Sequence, residues 1–148
     1  MSFWSILWSD LFWVVPLVGL ATLLVVWSYY RNIKKADPGN EKMQEIHQAI
    51  RTGAFAFIRR EYTSVAWVLV IAAPILFFTL GLPTMITFLI GALLSLLAGL
   101  IGMNAATLAN VRTAHAAKKG AAEAIQIAFP AGAIMGLTVV GLNLVGIT

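Results

Sequence analysis

The chain has 148 residues, of which 60% are hydrophobic and only 11% charged, with a mean hydropathy of +0.88 and a net charge of +4. A soluble domain carries about 25% charged residues, so this composition excludes an ordinary soluble protein and predicts an integral membrane protein. The absence of cysteine excludes disulfide frameworks and thiolate metal sites. We expect membrane lipids around this chain and no nucleic-acid partner.

The first predicted span covers residues 11–30. A helix that crosses a bilayer needs about 20 mostly apolar residues, and aromatic residues typical of membrane interfaces lie near both ends of this run: Trp8, Trp13, Trp27, Tyr29 and Tyr30. A cleaved signal peptide is the alternative, but it would begin with a basic segment. No lysine or arginine precedes Asp10, so we predict a retained helix.

A charged stretch, GNEKMQEIHQAIRTGAFAFIRREY, leads into the second span, which covers residues 63–80. Asp37 or Asn40 is placed to cap a helix, and Glu41 lies in its first turn, where the helix dipole favours a carboxylate. No Gly-Pro break follows before Leu80. We therefore predict one continuous helix from Glu41 to Leu80, about 60 Å long, whose first half projects beyond the bilayer.

This helix carries one apolar stripe at spacings of three and four residues, formed by Met43, Ile46, Ile50, Gly53 and Phe57. We expect the stripe to dock other helices rather than to lie flat on a membrane. His47 has no neighbouring ligand or catalytic partner at a suitable spacing, which favours a structural role. Arg59, Arg60 and Glu61 stand at the membrane boundary, where the arginines are expected to reach the lipid headgroups.

The third span covers residues 85–109, after a predicted turn at residues 81–84, and the fourth covers residues 124–148. Small residues at close helical spacing predict tight helix packing in lipid. In the third span they are Gly91, Ser95, Ala98, Gly99, Gly102, Ala105, Ala106 and Ala109, and in the fourth Gly132, Gly136 and Gly141. Pro130 predicts a kink near the start of the fourth span.

Polar side chains are few within these spans. Asn104, Thr107 and Asn143 have two alternative roles, bonding a neighbouring helix or contacting a passing ion. We expect the first, which is the commoner role of such residues in lipid. No Asp, Glu, Lys or Arg occurs from Tyr62 to Val111 or after Glu123. Because proton relays and ion-coupling sites in membranes normally use ionisable residues, this chain is not expected to be a complete pump by itself.

The basic residues predict the orientation of the chain. All ten lie in two segments, residues 31–62 and 110–123, and none precedes the first span or follows the fourth. Because positive loops remain in the cytoplasm, we expect both segments to be cytoplasmic and the N-terminus to lie outside. The fold class is thus an all-α membrane protein, a single region over residues 1–148 with four transmembrane helices, the second of them extended into the cytoplasm.

Three separated stretches resemble the membrane-bound inorganic pyrophosphatases, in the same order and spacing. They are GNEKMQEIHQAIRTGAFAFIRREY before the second span, GMNAATLANVRTAHAAKKG at the end of the third and GAIMGLTVVGL in the fourth. The resemblance covers about residues 37–142. It implies the N-terminal portion of a longer, homodimeric protein of about sixteen helices, which hydrolyses pyrophosphate at the cytoplasmic face and pumps H⁺ or Na⁺, in a prokaryotic inner membrane.

The family's Asp-rich catalytic motifs, such as Gly-Ala-Asp-Leu-Val-Gly-Lys-Val-Glu, are missing from this chain, so the resemblance assigns it no catalytic, cofactor-binding or metal-binding residue. The residues agree, because magnesium pyrophosphate needs several carboxylates and this chain has two aspartates, Asp10 and Asp37, and four scattered glutamates. Mg²⁺, and K⁺ where required, would be bound by residues outside it. Many family members carry a basic residue after Phe129, where this chain has Pro130.

Two hypotheses remain open. In the first, the chain is the structural N-terminal part of an ion-pumping pyrophosphatase and packs against that protein's remaining helices. The end of the chain within an apolar run favours this hypothesis. In the second, it is a self-contained small membrane scaffold or an oligomeric transporter, which would need a substrate site of its own.

Overall fold

The computed structural model describes the backbone of residues 3–147 and the side chains of residues 13–147. It contains four helices, α1 (Phe3–Lys35), α2 (Glu41–Leu80), α3 (Leu82–Ala116) and α4 (Ala121–Ile147), and no strand among the described residues. All four are long and apolar enough to cross a membrane. The predicted all-α class with four membrane helices is confirmed, while the predictions for the side chains of Trp8 and Asp10 lie outside the described residues, as does Thr148.

Helix α2 is continuous for 40 residues, as predicted. At a rise of about 1.5 Å per residue it is about 60 Å long, roughly twice the thickness of a hydrocarbon core. Asn40 caps its start by accepting a hydrogen bond from the backbone N–H of Met43 over 3.0 Å. The other candidate, Asp37, instead accepts a hydrogen bond from the backbone N–H of Gly39 and orders the connection before the helix.

The connection between α2 and α3 is shorter than the predicted four-residue turn. Only Gly81 lies outside the helices, and α3 begins at Leu82 rather than near residue 85. Gly81 has φ of 90°, a conformation that glycine adopts without a side-chain clash. Pro83 belongs to the first turn of α3, where its missing N–H would have had no helical partner. The glycine alone therefore reverses the chain, and the proline starts the next helix.

The helices pack as a row, α2 on α3, α3 on α4 and α4 on α1, with a smaller contact between α1 and α3. Within the described residues α2 packs only on α3. The core lies among α1, α3 and α4 and includes Val26, Ile33, Ala105, Ala109, Ala131 and Ile134. The arrangement leaves α2 on the outside of the row, with most of its surface uncovered by this chain.

The small residues separate into two groups. Ala98, Gly102, Ala105, Ala109 and Gly141 are buried at helix contacts, as predicted. A Cβ at Gly102 would come within 2.7 Å of the Cγ of Met135, which shows how closely α3 approaches α4. In contrast, a Cβ added at Gly91, Gly132 or Gly136 would meet nothing within 4 Å. For these three glycines, the predicted contact is not made within the described part of the chain.

Helices α1 and α4 meet at a pair of glycines. A Cβ at Gly19 would lie 2.9 Å from the carbonyl oxygen of Gly141, and a Cβ at Gly141 would lie 3.1 Å from the carbonyl oxygen of Gly19. The two backbones are therefore close enough to exclude any side chain, which is the geometry that small residues allow in lipid. Gly141 was predicted as a packing residue, and its partner Gly19 was not.

The face of α2 that packs on α3 includes Ile58, which is buried, and Tyr62, whose hydroxyl donates to the carbonyl oxygen of Leu96. The predicted apolar stripe lies to one side of this face. Ile46 and Phe57 remain 50% and 56% exposed. The stripe therefore borders the contact with α3, and most of its surface remains available to pack against other helices.

Candidate functional site

Polar side chains collect at the end of the molecule where α1 ends and α2 begins. We call this group the polar cluster and define it as Tyr30, Asp37, His47, Arg51, Asn104, Arg112 and His115. The cluster brings together three residues that stand out in the sequence, Asp37, His47 and Asn104, with four others from three different helices. It connects α1, the α1–α2 connection, α2 and α3, so it is the place where this end of the molecule is held together.

Asn104 bridges two helices that do not pack on each other. Its Nδ2 donates to the hydroxyl of Tyr30 on α1 over 3.2 Å. Its Oδ1 accepts from Nη2 of Arg51 on α2 over 3.5 Å, a long hydrogen bond. Because α3 carries Asn104 between the two partners, one amide side chain links α1, α2 and α3. The predicted role of Asn104 in bonding neighbouring helices is confirmed.

Arg112 joins α3 to the end of α1. Its Nε donates to the carbonyl oxygen of Ala36 over 3.0 Å, and its Nη1 donates to the carbonyl oxygen of Leu108 over 2.8 Å. Ala36 directly follows the last residue of α1, where backbone carbonyls have no helical partner. Burial lowers the pKa of Arg112 from its usual value, yet arginine remains charged in proteins. A fixed positive charge therefore satisfies the C-terminal end of α1.

His115 lies one turn further along α3 and contacts the α1–α2 connection. Its Nε2 is 3.6 Å from Oδ2 of Asp37, an ion pair whenever the imidazole is protonated. Its Nδ1 is buried and has no hydrogen-bond partner among the described residues. A Cβ at Gly39, whose φ is 82°, would come within 3.0 Å of that nitrogen. Glycine therefore permits both the turn and the close approach of His115.

His47 is half-buried between two arginines. Desolvation by burial, and then the positive charges of Arg112 and Arg51, lower the pKa of His47 from its usual value of 6.5. A hydrogen bond with the backbone of Thr107 has the opposite effect and raises the pKa. The Nδ1 of His47 is buried without a hydrogen-bond partner among the described residues. A neutral imidazole packed against α3 fits the structural role that the sequence predicted for this residue.

The other two polar positions do not link helices. The hydroxyl of Thr107 donates to carbonyl oxygens of its own helix, those of Met103 at 2.9 Å and Asn104 at 3.1 Å. Asn143 is exposed and has no side-chain hydrogen bond among the described residues. Thr107 therefore corrects the expectation that it bonds a neighbouring helix, because threonine in a helix readily bonds the carbonyl four residues earlier.

Four members of the cluster were not selected from the sequence: Tyr30, Arg51, Arg112 and His115. Arg112 counted only as one of the basic loop residues, and Tyr30 only as one of the interfacial aromatic residues. The signal that would have found Arg112 is its position eight residues after Asn104, which places both near one face of a helix. Finding Tyr30 required the packing of α1 beside α3, which no local pattern contains.

The arrangement holds no candidate metal centre in the part of the chain that the structure describes. Asp37 contacts His115 and the N–H of Gly39, and Glu45 pairs with Lys42 at 2.7 Å on the surface. These carboxylates do not converge on a common point. The chemistry of the cluster is thus that of hydrogen bonds between helices, and it offers neither the grouped carboxylates nor the activated nucleophile that a hydrolytic site requires.

Comparison with known proteins gives one family. The family model described as inorganic H+ pyrophosphatase matches residues 20–148. A K(+)-insensitive pyrophosphate-energized proton pump from Methanosarcina mazei is 44% identical over 138 residues, which cover 92% of this chain and 21% of the relative. A K(+)-stimulated pyrophosphate-energized sodium pump from Thermotoga maritima is 37% identical over 141 residues, which cover 94% of this chain and 19% of the relative.

A third relative, a putative K(+)-stimulated pyrophosphate-energized sodium pump from Clostridium tetani, is 45% identical over 121 residues, or 82% of this chain and 18% of the relative. The chain thus spans about a fifth of the length of the relatives that it matches. Proton and sodium pumps resemble it to similar degrees, so the similarity does not select between the two ions.

Proposed function

Because the chain belongs to the inorganic H+ pyrophosphatase family, we propose that it is the N-terminal portion of a pyrophosphate-energised ion pump and that its role there is structural. The observation that carries this proposal is the family match, which extends over residues 20–148 while the chain spans about a fifth of its relatives. The complete protein would hydrolyse pyrophosphate and use the free energy to move H⁺ or Na⁺ across the membrane.

The polar cluster supports the structural role. Its hydrogen bonds fix three helices relative to one another through Asn104 and Arg112. In a pump that works by conformational change, a preformed support of this kind would hold one end of the molecule while other helices move. The exposed apolar stripe of α2, which includes Ile46 and Phe57, would receive remaining helices of the complete protein.

The described side chains do not suit a magnesium pyrophosphate site, since no group of three or more carboxylates or histidines lies together among them. Mg²⁺ would therefore be held by residues outside this chain, and the same applies to K⁺ in those pumps that it stimulates. Bound Mg²⁺ would supply charge neutralisation for the phosphate groups. For this chain we derive no catalytic step.

The placement of basic residues supports an orientation with the N-terminus outside and residues 31–62 and 110–123 in the cytoplasm. Each predicted span falls within the bounds of one helix, apart from Thr148, which lies outside the described residues. The spans are residues 11–30, 63–80, 85–109 and 124–148. We further propose a prokaryotic inner-membrane location and a homodimer for the complete protein, as the family resemblance implies.

Sequencing the DNA downstream of the codon for Thr148 tests the proposal. An open reading frame that continues into an Asp-rich segment ending in Gly-Lys-Val-Glu is the expected result. A stop codon directly after Thr148 would contradict the proposal and favour a self-contained scaffold or small transporter.

A further inference from the structure

The outer face of α2 carries a shallow groove that has no role in the contacts described above. It is lined by six residues, Ala56, Arg59, Arg60, Thr63, Ser64 and Trp67. We call it the α2 groove. It lies where the charged half of the helix gives way to the apolar half, since no charged residue follows Glu61 in α2.

The groove faces away from the rest of the chain. Ile58 and Tyr62 mark the side of α2 that packs on α3. At about 100° per residue, Arg60 and Trp67 lie roughly half a turn around the helix from Ile58. Because α2 packs on no helix other than α3 within the described residues, no described part of the chain covers this side.

Two unpaired positive charges lie in the groove. Arg59 and Arg60 are exposed, and neither guanidinium has an ion pair or a hydrogen bond among the described residues. The hydroxyls of Thr63 and Ser64 donate to the carbonyl oxygens of Arg59 and Arg60, at 2.8 and 3.2 Å. The N–H donors available to a ligand at this point are therefore those of the two guanidinium groups, and such groups bind phosphate in a bidentate manner.

An apolar surface continues from the charged end of the groove. Trp67 is 66% exposed, and the neighbouring exposed residues Val68 and Ile71 extend the surface along the helix. Tryptophan favours the region where headgroups meet hydrocarbon. A ligand that matches both ends must have an anionic, phosphate-bearing head and a long apolar tail.

We propose that the α2 groove binds an anionic phospholipid, with its phosphate on Arg59 and Arg60 and an acyl chain along Trp67. Charge complementarity favours an anionic lipid head, because Arg59 and Arg60 have no carboxylate partner on α2 facing the groove. Glu61 lies about 100° around the helix from Arg60, on another side. The lipid would fix the height of α2 in the membrane through a specific contact.

Native mass spectrometry of the protein expressed from its own gene tests this proposal. Dioleoylphosphatidylglycerol and dioleoylphosphatidylcholine are added as probes to delipidated samples of the wild type and of the R59Q/R60Q variant. Each basic residue near an anionic surface contributes roughly fivefold to affinity, so the double variant should bind phosphatidylglycerol roughly 25-fold more weakly. Binding of phosphatidylcholine should stay the same.

The K118Q/K119Q variant is the matched control, since it removes the same charge from an exposed connection outside the groove. It should retain wild-type affinity within twofold. The Trp67→Phe variant gives an independent readout, because phosphatidylglycerol with brominated acyl chains should quench tryptophan fluorescence less in this variant than in the wild type. Neither change touches a packed residue, so both variants are expected to fold.

The proposal is wrong if R59Q/R60Q binds phosphatidylglycerol like the wild type, or if the control variant loses as much affinity, which would indicate a general charge effect. Displacement of the lipid by inorganic phosphate at equal concentration would also overturn it, because the site would then recognise phosphate alone. Unchanged quenching in the Trp67→Phe variant would place the acyl chain elsewhere and contradict the geometry.

Discussion

At the scale of single residues, Asn104 is the polar side chain that connects the most helices among the described residues. It bonds Tyr30 of α1 and Arg51 of α2 from its place on α3. We expect Asn104→Ala to lower the free energy of unfolding in detergent by about 1 kcal/mol, since hydrogen bonds between membrane helices contribute about that much. Reversible denaturation followed by circular dichroism measures the change.

The Asn143→Ala variant is the control, because Asn143 has no hydrogen bond among the described residues. It should unfold like the wild type. A double-mutant cycle between Asn104→Ala and Tyr30→Phe should show a coupling energy of roughly 0.6 kcal/mol. Additive effects in this cycle would mean that the Tyr30–Asn104 hydrogen bond does not stabilise the fold.

His47 predicts a dependence of stability on pH. Its pKa in the folded chain is lowered below 6.5 by burial and by Arg112 and Arg51. The unfolded chain therefore takes up the proton first as the pH falls, so stability decreases as the pH drops through about 6.5 and levels off below the folded-state pKa. Above about pH 7.5 both states are neutral at this residue and no effect remains.

Denaturation midpoints at about pH 7.5 and about pH 5.5 test this prediction. The wild type should lose more stability between these two pH values than the His47→Gln variant does. The comparison isolates His47, because His115 and the carboxylates are common to both proteins. An equal loss in both proteins would show that His47 titrates alike in the folded and unfolded states.

Single residues show which contacts a local sequence pattern can predict. The sequence predicts a cap at Asp37 or Asn40 and polar links at Asn104, Thr107 and Asn143. The structure shows the cap at Asn40 and the link at Asn104. Arg112 and Tyr30 owe their roles to atoms from a distant part of the chain. A pattern along one chain segment does not contain those distances.

At the scale of elements, the length of α2 was predictable from the sequence. Pro74 is the one proline between Glu41 and Leu80, and the helix continues through it. The face of α2 that packs on α3 was harder to predict from the sequence. The apolar stripe of Ile46, Ile50 and Phe57 was expected to dock helices, while the face on α3 includes Ile58 and Tyr62. Choosing between two apolar faces requires knowledge of the partner helix.

The contact between α1 and α4 yields a prediction for helix packing. We expect Gly19→Ala to lower the free energy of unfolding by roughly 1 to 3 kcal/mol, which is typical of overpacking. A Cβ there would lie 2.9 Å from the backbone carbonyl oxygen of Gly141, an atom that cannot move as a side chain can. Denaturation in detergent measures the effect.

Gly91→Ala is the matched control for this substitution, since a Cβ at Gly91 meets nothing within 4 Å. It should leave the stability unchanged or raise it slightly, because alanine favours a helix more than glycine. If Gly19→Ala proved as stable as Gly91→Ala, the close approach of α1 and α4 would be contradicted.

At the scale of the whole molecule, orientation can be tested by labelling, because this chain contains no cysteine. The Leu82→Cys variant places a thiol at an exposed position beside the α2–α3 connection, and the Lys118→Cys variant places one in the α3–α4 connection. A membrane-impermeant maleimide should label the first variant in intact cells and the second only after the cells are opened. The reverse pattern would contradict the proposed orientation.

We propose that this chain supports an ion-pumping pyrophosphatase without taking part in its chemistry, because it matches the family and its described carboxylates do not group together. The most direct measurement is pyrophosphate hydrolysis in the presence of Mg²⁺, made on the purified 148-residue chain and on the complete product of its gene. We expect hydrolysis by the complete protein and none by the chain alone. Sustained hydrolysis by the chain alone, abolished by chelating Mg²⁺, would contradict it.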